Sequence, residues 1–102
     1  MSFSERYKDL SLAINNSPIV SAGQKKILNI LVEFEKGIPM SRLSDLTGAS
    51  KQALYFNIKR LLERELIVRE RKIVYIYKVN EPKIVEILDS YIENKKYLKI
   101  KE

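Results

Sequence analysis

The fold of this 102-residue chain is decided by residues 40–54, MSRLSDLTGASKQAL. Ser41 has a side-chain oxygen that can accept a hydrogen bond from a free backbone N–H, so it is predicted to cap a brief helix. Gly48 then marks a tight turn, because glycine adopts a positive φ without a steric penalty. Ser50 is predicted to cap the next helix, which runs to about Arg64. Two helices joined by such a turn form a helix-turn-helix.

Upstream of this stretch the sequence predicts two further helices. The first runs from a cap at Ser4 to about Asn15. In the second, Ser21 and Gln24 have the spacing of a capping box, in which the hydroxyl and the amide each satisfy a free backbone N–H. This helix ends near Gly37, which can take the left-handed conformation. A short extended link then leads into residues 40–54.

Downstream, the periodicity of the apolar residues changes. Residues 66–69 and 73–77 are rich in β-branched and aromatic side chains, and they flank the charged trio Glu70-Arg71-Lys72. This pattern predicts a β-hairpin with a short basic tip. Asn80 is predicted to cap a last helix, with Pro82 near its first turn, where the missing N–H has no cost. The predicted order is α-α-(β)-α-α-β-β-α, an α+β fold that is mainly helical.

That order, with these residues, resembles the winged helix-turn-helix domain of bacterial and archaeal regulators, particularly the MarR and PadR-like groups. The resemblance covers roughly residues 21–79 and includes residues 40–54. Residues 61–69, LLERELIVR, look like the family's helix end and first wing strand. One departure is Glu65, where the family usually has glycine at the turn into the strand. The wing tip of this chain is also short and has no glycine.

The chain is basic, with 19 Lys and Arg residues, 13 Asp and Glu residues and a formal net charge of +6. Most of the excess lies between Lys51 and Lys72, where seven basic residues accompany three acidic ones. The pI of about 9.6 exceeds the value of roughly 9 above which a nucleic-acid-binding surface is expected. The charge and its position therefore favour double-stranded DNA as the partner.

The residue types that are absent exclude several classes of protein. The chain has no Cys and no His, which excludes disulfides and thiolate zinc sites and removes the commonest general base. Its three glycines are far apart, so there is no phosphate-binding loop. No segment approaches the roughly 20 consecutive apolar residues of a membrane span, and no apolar export signal follows Met1. We therefore expect a cytoplasmic protein that is not an enzyme and needs no cofactor or metal.

The helix after Ser50 has two distinct faces. At about 100° per residue its Leu and Ile side chains share one face, and polar or aromatic side chains lie opposite. Gln52 can bond adenine in bidentate fashion, and Lys59 and Arg60 can hold phosphates or guanine. The helix N-terminus also favours a phosphate. The residues expected to contact DNA come from this helix, the helix before it and the hairpin tip. They are Ser41, Ser50, Lys51, Gln52, Tyr55, Phe56, Lys59, Arg60, Arg69, Arg71 and Lys72.

Each of these residues also has a purely structural interpretation. Ser50 would then be a helix cap only, and Lys51 and Lys59 would be solvated charges. The hairpin charges would serve to keep other strands from pairing with the sheet. Tyr55 is expected to pack against the protein's own wing. A DNA or dimer contact is expected for Phe56, since it points furthest from the core.

The two ends of the chain predict a homodimer. The last helix has an apolar stripe larger than a core of this size needs, and the first helix has a similar one. Proteins of this build pair such terminal helices across a two-fold axis. The residues expected at this interface are Leu10, Ile14, Ile84, Leu88, Tyr91 and Ile92. The alternative is a monomer whose terminal helices fold onto its own core.

The expected regions are therefore an N-terminal helix that supports the dimer or the core in 1–20, the winged helix-turn-helix in 21–79, and a C-terminal dimerisation helix with a basic tail in 80–102. The leading functional hypothesis is a homodimer that binds specific sequences of duplex DNA and regulates transcription. A second is a plasmid or viral partition protein, which coats repeated centromere sites and has a partition NTPase or another regulator as its partner. A third is a protein–protein adaptor, since winged helices also serve as scaffolds without binding DNA.

Overall fold

The computed structural model describes the backbone of residues 7–87, 89 and 90, and the side chains of residues 10–87, 89 and 90. Five helices and a small three-stranded sheet occur in this part of the chain. The elements are α1 (Tyr7–Asn15), α2 (Ala22–Glu33), β1 (Ile38–Pro39), α3 (Met40–Thr47), α4 (Lys51–Glu63), β2 (Ile67–Arg71), β3 (Tyr75–Val79) and α5, which begins at residue 81 and is described to residue 90 except for residue 88. The predicted order and the mainly helical α+β class are confirmed.

The sheet is antiparallel and has the strand order β1-β3-β2. β1 is only two residues long, and Ile38 pairs with Tyr77 of the central strand β3. On the other side of β3, Ile67 pairs with Val79 at the base of the hairpin, and the ladder runs out to the pair of Arg71 with Tyr75. The hairpin therefore extends away from β1, and β2 is an open edge strand.

One hydrophobic core joins all five helices to the sheet. Its fully buried side chains include Leu10, Ile14, Leu28, Leu31, Leu43, Leu54, Leu61, Ile67 and Ile84. Each such Leu or Ile contributes about 1.5–3 kcal/mol relative to an exposed side chain. The helical spacing of these residues therefore determines which face of each helix turns inward and which remains in solvent.

The helix caps predicted at Ser21 and Ser50 are confirmed. Ser21 Oγ accepts a hydrogen bond from the Gln24 N–H at 3.3 Å, and Gln24 Oε1 accepts one from the Ser21 N–H at 3.4 Å, which completes the capping box. Ser50 Oγ accepts from the Ala53 N–H at 3.2 Å. Gly48 ends α3 with a φ of 67°, as the predicted turn requires. The helix-turn-helix of α3 and α4 therefore begins and ends as its sequence predicts, except at the start of α3.

The predicted cap at Ser41 is wrong. α3 begins at Met40, and Pro39, two residues before Ser41, occupies the N-cap position without a side-chain hydrogen bond. Pro39 has a φ of −77° and a ψ of 166°, which is the extended conformation that precedes a helix. Because the proline ring restricts φ to this range, it can start the helix without a capping side chain. Ser41 lies inside the first turn, with its side chain exposed.

α4 ends at a left-handed residue that is not glycine. Glu65 has a φ of 61°. The Leu66 N–H donates to the Leu61 carbonyl, and the Glu65 N–H to the Leu62 carbonyl, both at 3.0 Å. This pair of bonds is the Schellman motif that terminates many helices. The chain thus makes with Glu65 the left-handed turn for which the resembling family usually has glycine.

The hairpin is present, but its predicted tip is wrong. Glu70 and Arg71 belong to β2, and the connection to β3 consists of Lys72, Ile73 and Val74. The Lys72 N–H donates to the Val74 carbonyl at 3.0 Å and closes the turn. Ile73 is fully exposed. Turns are usually polar and strands apolar, but here the edge strand is charged and the turn is largely apolar. The sequence pattern therefore predicts the turn at residues 70–72, two residues before its observed position.

Both terminal helices contribute to the chain's own core. Leu10, Ile14 and Ile84 have no exposed surface. A side chain without surface cannot also contact a second subunit, so the interface predicted at these three residues is wrong, and they follow the monomer-core alternative. The remaining predictions for the chain ends lie outside the described residues: Ser4, Leu88, Tyr91 and Ile92.

Candidate nucleic-acid interface

α4 is oriented by contacts with the two helices that precede it. Gly23 of α2 lies so close to Asn57 that a Cβ atom at position 23 would be 2.7 Å from Asn57 Nδ2. Lys26 Nζ donates a hydrogen bond to the Thr47 carbonyl at 2.9 Å and thus ties α2 to the end of α3. These contacts, with the buried apolar side of α4, leave its opposite side in solvent.

The solvent side of α4 is polar and cationic. Lys51, Gln52, Lys59 and Arg60 are all exposed. The helix has no acidic residue before Glu63 at its C-terminal end. Ser50 caps the N-terminus, where the backbone N–H groups of a helix favour an anion such as phosphate. The arrangement therefore presents hydrogen-bonding groups and positive charge on one surface.

Two aromatic side chains interrupt this polar surface. Tyr55 is 68% exposed and Phe56 is 57% exposed. The prediction that Tyr55 packs against the protein's own wing is wrong, because most of its side chain is in solvent. Phe56 is in contact with Arg60, whose guanidinium carbon lies 5.4 Å from the ring centroid. That distance is within the roughly 6 Å of a cation–π interaction.

One face of the β2–β3 hairpin is apolar and buried at its base and becomes basic toward its tip. Ile67 and Val79 pair at the base of the hairpin and are buried. Because side chains alternate along a strand, Arg69 and Arg71 lie on the same side of β2 as Ile67. The guanidinium carbons of Arg69 and Arg71 lie 4.4 and 6.0 Å from the ring centroid of Tyr75. The side of the sheet that faces the helices thus becomes cationic where it extends beyond them.

Sequence reasoning missed Tyr75 and Ile73 as residues of this surface. The sequence pattern predicts both residues in a strand, where an apolar or aromatic side chain needs no further explanation. A connection of three residues would have placed Tyr75 opposite Arg71, as the observed register does. The alternation of Arg69 and Arg71 was the available signal, since two arginines two residues apart share one face of a strand.

The other face of β2 carries a carboxylate that balances part of the charge. Glu70 forms salt bridges with Lys78 and, at 3.9 Å, with Lys72. The hydrogen bond from Lys78 lowers the pKa of Glu70 below its usual value, and the charges of Lys78 and Lys72 add to this effect. The charge of Lys72 is therefore partly balanced within the protein, whereas Arg69 and Arg71 lie on the opposite face.

Every residue predicted to contact DNA is exposed. The structure brings together Phe56 with Arg60, and Arg69 with Arg71 around Tyr75. α4 and β2 are neighbours in the fold. Contact of these side chains with DNA stays a prediction.

Two other features are absent from the described part of the chain. It contains no cluster of three or more acidic residues that could hold a metal ion. No helix within the same residues is long and apolar enough to cross a membrane.

Comparison with known proteins agrees with the fold. Residues 24–68, from α2 into β2, match the family of winged helix-turn-helix DNA-binding domains. The crystal structure of the ST1889 protein from the thermoacidophilic archaeon Sulfolobus tokodaii is similar to this chain with a TM-score of 0.60 and 22% sequence identity, over 97% of this chain and 99% of that one. At this identity the likeness shows a shared fold. None of the curated proteins matches the sequence.

Proposed function

We propose, from the premise that residues 24–68 form a winged helix-turn-helix DNA-binding domain, that this chain binds specific sequences of duplex DNA as a homodimer and regulates transcription. The observation that carries the proposal is the solvent side of α4, where Gln52, Lys59 and Arg60 are exposed on the helix that follows the Gly48 turn. The resemblance to MarR and PadR-like regulators is part of this proposal. The role is binding, with no reaction catalysed.

In the proposed complex α4 lies in the major groove. Gln52 reads a base edge, since a Gln amide can pair with N6 and N7 of adenine. Lys51 and Lys59 neutralise phosphates on either side of the groove, which fixes the register without reading sequence. The hairpin reaches the adjacent backbone, where Arg69 and Arg71 meet the negative potential of a narrow minor groove.

The dimer is proposed beside the C-terminal end of α4, at a groove that Arg64 lines. Leu12 of α1 is 51% exposed and Ile19, in the following loop, is 53% exposed. Ile19 and Ile87 of α5 line the same open groove, whose volume is about 600 Å³. This surface combines exposed apolar side chains with Arg64, Lys83 and Glu86, which line the same groove, and it is proposed in place of the buried residues predicted for the interface. A two-fold pair would present two α4 helices to half-sites about one helical turn of DNA apart.

The test is selection of bound duplexes from random sequence, followed by footprinting and by titration at several salt concentrations. A dimer that makes about 6–10 phosphate contacts should lose roughly 10³–10⁵ in affinity between 50 and 200 mM salt. Lys59→Ala should reduce the slope of log affinity against log salt by about one for each subunit. Lys36→Ala removes the same charge from the exposed turn between α2 and β1, and it should leave the slope unchanged.

Each of the other outcomes has a distinct meaning. Enrichment of a palindromic pair of half-sites supports the regulator. Protection that spreads over an array of repeated sites would support the partition role, and a search for a partition NTPase as partner would follow. Failure to bind any duplex at low salt would refute the DNA-binding proposal and favour the adaptor.

A further inference from the structure

The centre of the solvent side of α4 is apolar, and its surroundings are not. Phe56 exposes more than half of its side chain, with Gln52 one turn before it and Arg60 one turn after it. With the adjacent Tyr55, which is also mostly exposed, it makes an aromatic area rimmed by polar residues, and aromatic residues are enriched where a protein contacts a partner. Lys59 and Arg60 beside the ring favour a partner that is negatively charged.

Duplex DNA offers one apolar group to such a surface. In the major groove the base edges present hydrogen-bond donors and acceptors, and only thymine adds a methyl group, at C5. A phenyl ring can bury that methyl group, and it has no hydrogen bond to offer a base edge. The chemistry of Phe56 therefore selects thymine from the four bases.

We propose that Phe56 and Arg60 act together to read a thymine whose neighbouring base pair contains guanine. The inference rests on the proposed DNA-binding function and adds to it the identity of two adjacent bases. In the observed stack the guanidinium lies over the ring, 5.4 Å from its centroid. A guanidinium carries five N–H donors and this contact is made with a ring that accepts no conventional hydrogen bond, so the donors of Arg60 can still bind O6 and N7 of guanine.

The spacing of the pair fits neighbouring base pairs. Phe56 and Arg60 are four residues apart, about 6 Å along the helix axis. Arg60 lies over the phenyl ring, with its guanidinium carbon 5.4 Å from the centroid, and its N–H groups extend beyond that carbon, so they can reach the base pair next to the one that Phe56 contacts, about 3.4 Å away along the DNA axis. Gln52 lies a further turn away on the opposite side of Phe56, so it reads a different position. The thymine and guanine can thus be tested independently of Gln52.

The experiment changes one chemical group of the DNA at a time. In the selected site, each thymine is changed in turn to deoxyuridine, which removes the methyl group and keeps every hydrogen bond. Wild-type protein should lose affinity about fourfold at one thymine in each half-site, as expected for the loss of one buried methyl group. Phe56→Ala should bind the thymine and uracil versions of that site equally. Because Phe56 is largely exposed, this variant should fold, and circular dichroism checks that it does.

Two controls make the result specific. Tyr55→Ala removes the adjacent exposed aromatic ring, and it should retain the fourfold preference for thymine. At the neighbouring guanine, 7-deazaguanine removes the N7 acceptor, and it should weaken wild-type protein and leave Arg60→Ala unaffected.

The outcomes separate this inference from the function on which it rests. Specific binding with no uracil-sensitive position would refute the inference and leave DNA binding intact. The inference would also be refuted if Phe56→Ala retained the uracil sensitivity, because another side chain would then contact the methyl group. Absence of any duplex binding would refute both.

Discussion

Replacing Glu65 with glycine should stabilise the protein. Glu65 follows α4 with a φ of 61°, a conformation in which the Cβ of an L-residue crowds the carbonyl oxygen that follows it. The Schellman bonds and the hydrogen bond from Asn80 Nδ2 to the Glu65 carbonyl, at 2.7 Å, involve only the backbone of residue 65. Glycine can therefore keep every one of these bonds and remove the steric penalty.

The magnitude follows from two opposing contributions. The left-handed conformation costs a residue other than glycine roughly 1–2 kcal/mol. Glycine also makes the unfolded chain more flexible, which lowers the free energy of unfolding by about 0.4–1 kcal/mol and offsets part of the relief. The net increase in the free energy of unfolding is about 1 kcal/mol. For a domain of this size, that increase raises the melting temperature by roughly 4–8 °C.

The chain contains its own matched control. Gly48 has nearly the same φ, 67°, and no heavy atom outside its neighbours lies within 4 Å of where its Cβ would be. Gly48→Ala should therefore lose about the free energy that Glu65→Gly gains, with the opposite sign. Glu65→Ala keeps the steric penalty while it removes the charge, so its stability should stay within about 0.5 kcal/mol of wild type.

Urea unfolding of the three variants and wild type, followed by circular dichroism, measures these differences. An unchanged or lowered midpoint for Glu65→Gly, together with a lowered midpoint for Gly48→Ala, would show that the side chain of Glu65 contributes more than its conformation costs. The steric argument at position 65 would then be wrong.

Three further predictions concern recognition, assembly and pH. Gln52→Ala should change which sequences are preferred, at about 1–3 kcal/mol for a bidentate pair, whereas Arg71→Ala should weaken all sites alike; equal losses across a panel of sites would contradict this division. Ile19→Arg should shift the protein from dimer to monomer in light scattering, because Arg64 and Lys83 line the same groove and like charges brought together at an interface repel each other; a variant that remains dimeric would move the interface elsewhere. Lys78 lowers the pKa of Glu70, so the stability that Glu70 contributes is present above the unfolded carboxyl pKa of about 4.3 and is lost as the pH falls through the lower folded value. The difference in urea midpoint between wild type and Glu70→Gln should accordingly shrink as the pH is lowered from 7 to 3, and a constant difference would exclude the effect.

The features that the sequence predicts correctly are those that depend on interactions between residues close together in the chain. The capping box of Ser21 and Gln24 and the cap at Ser50 depend on atoms within three residues, and both occur as expected. Gly48 follows the last residue of α3 with a left-handed φ of 67°, as expected for a glycine that ends a helix. The apolar spacing likewise predicted which side of α4 is buried.

The errors arose where a local pattern has two physical causes. Arg71 resembles a turn residue because it is charged, but an open edge strand accepts the same side chain. Ile73 resembles a strand residue, and only the register of the ladder shows that it lies at the tip. Leu10 and Ile84 form an apolar stripe that could be buried within one chain or between two, and burial in the chain's own core decides between these choices.

The base of the hairpin is held more firmly than its tip. Asn80 donates two hydrogen bonds across the base, from its backbone N–H to the Leu66 carbonyl at 3.0 Å and from its side chain to the Glu65 carbonyl at 2.7 Å. Ile67 and Val79 are buried beside these bonds, whereas Ile73 is solvated. Backbone amides should therefore exchange with solvent fastest at the turn and progressively more slowly toward Asn80. The half of the hairpin nearest Ile73 can thus open and re-form against a binding partner, while its attachment to α4 and α5 stays in place.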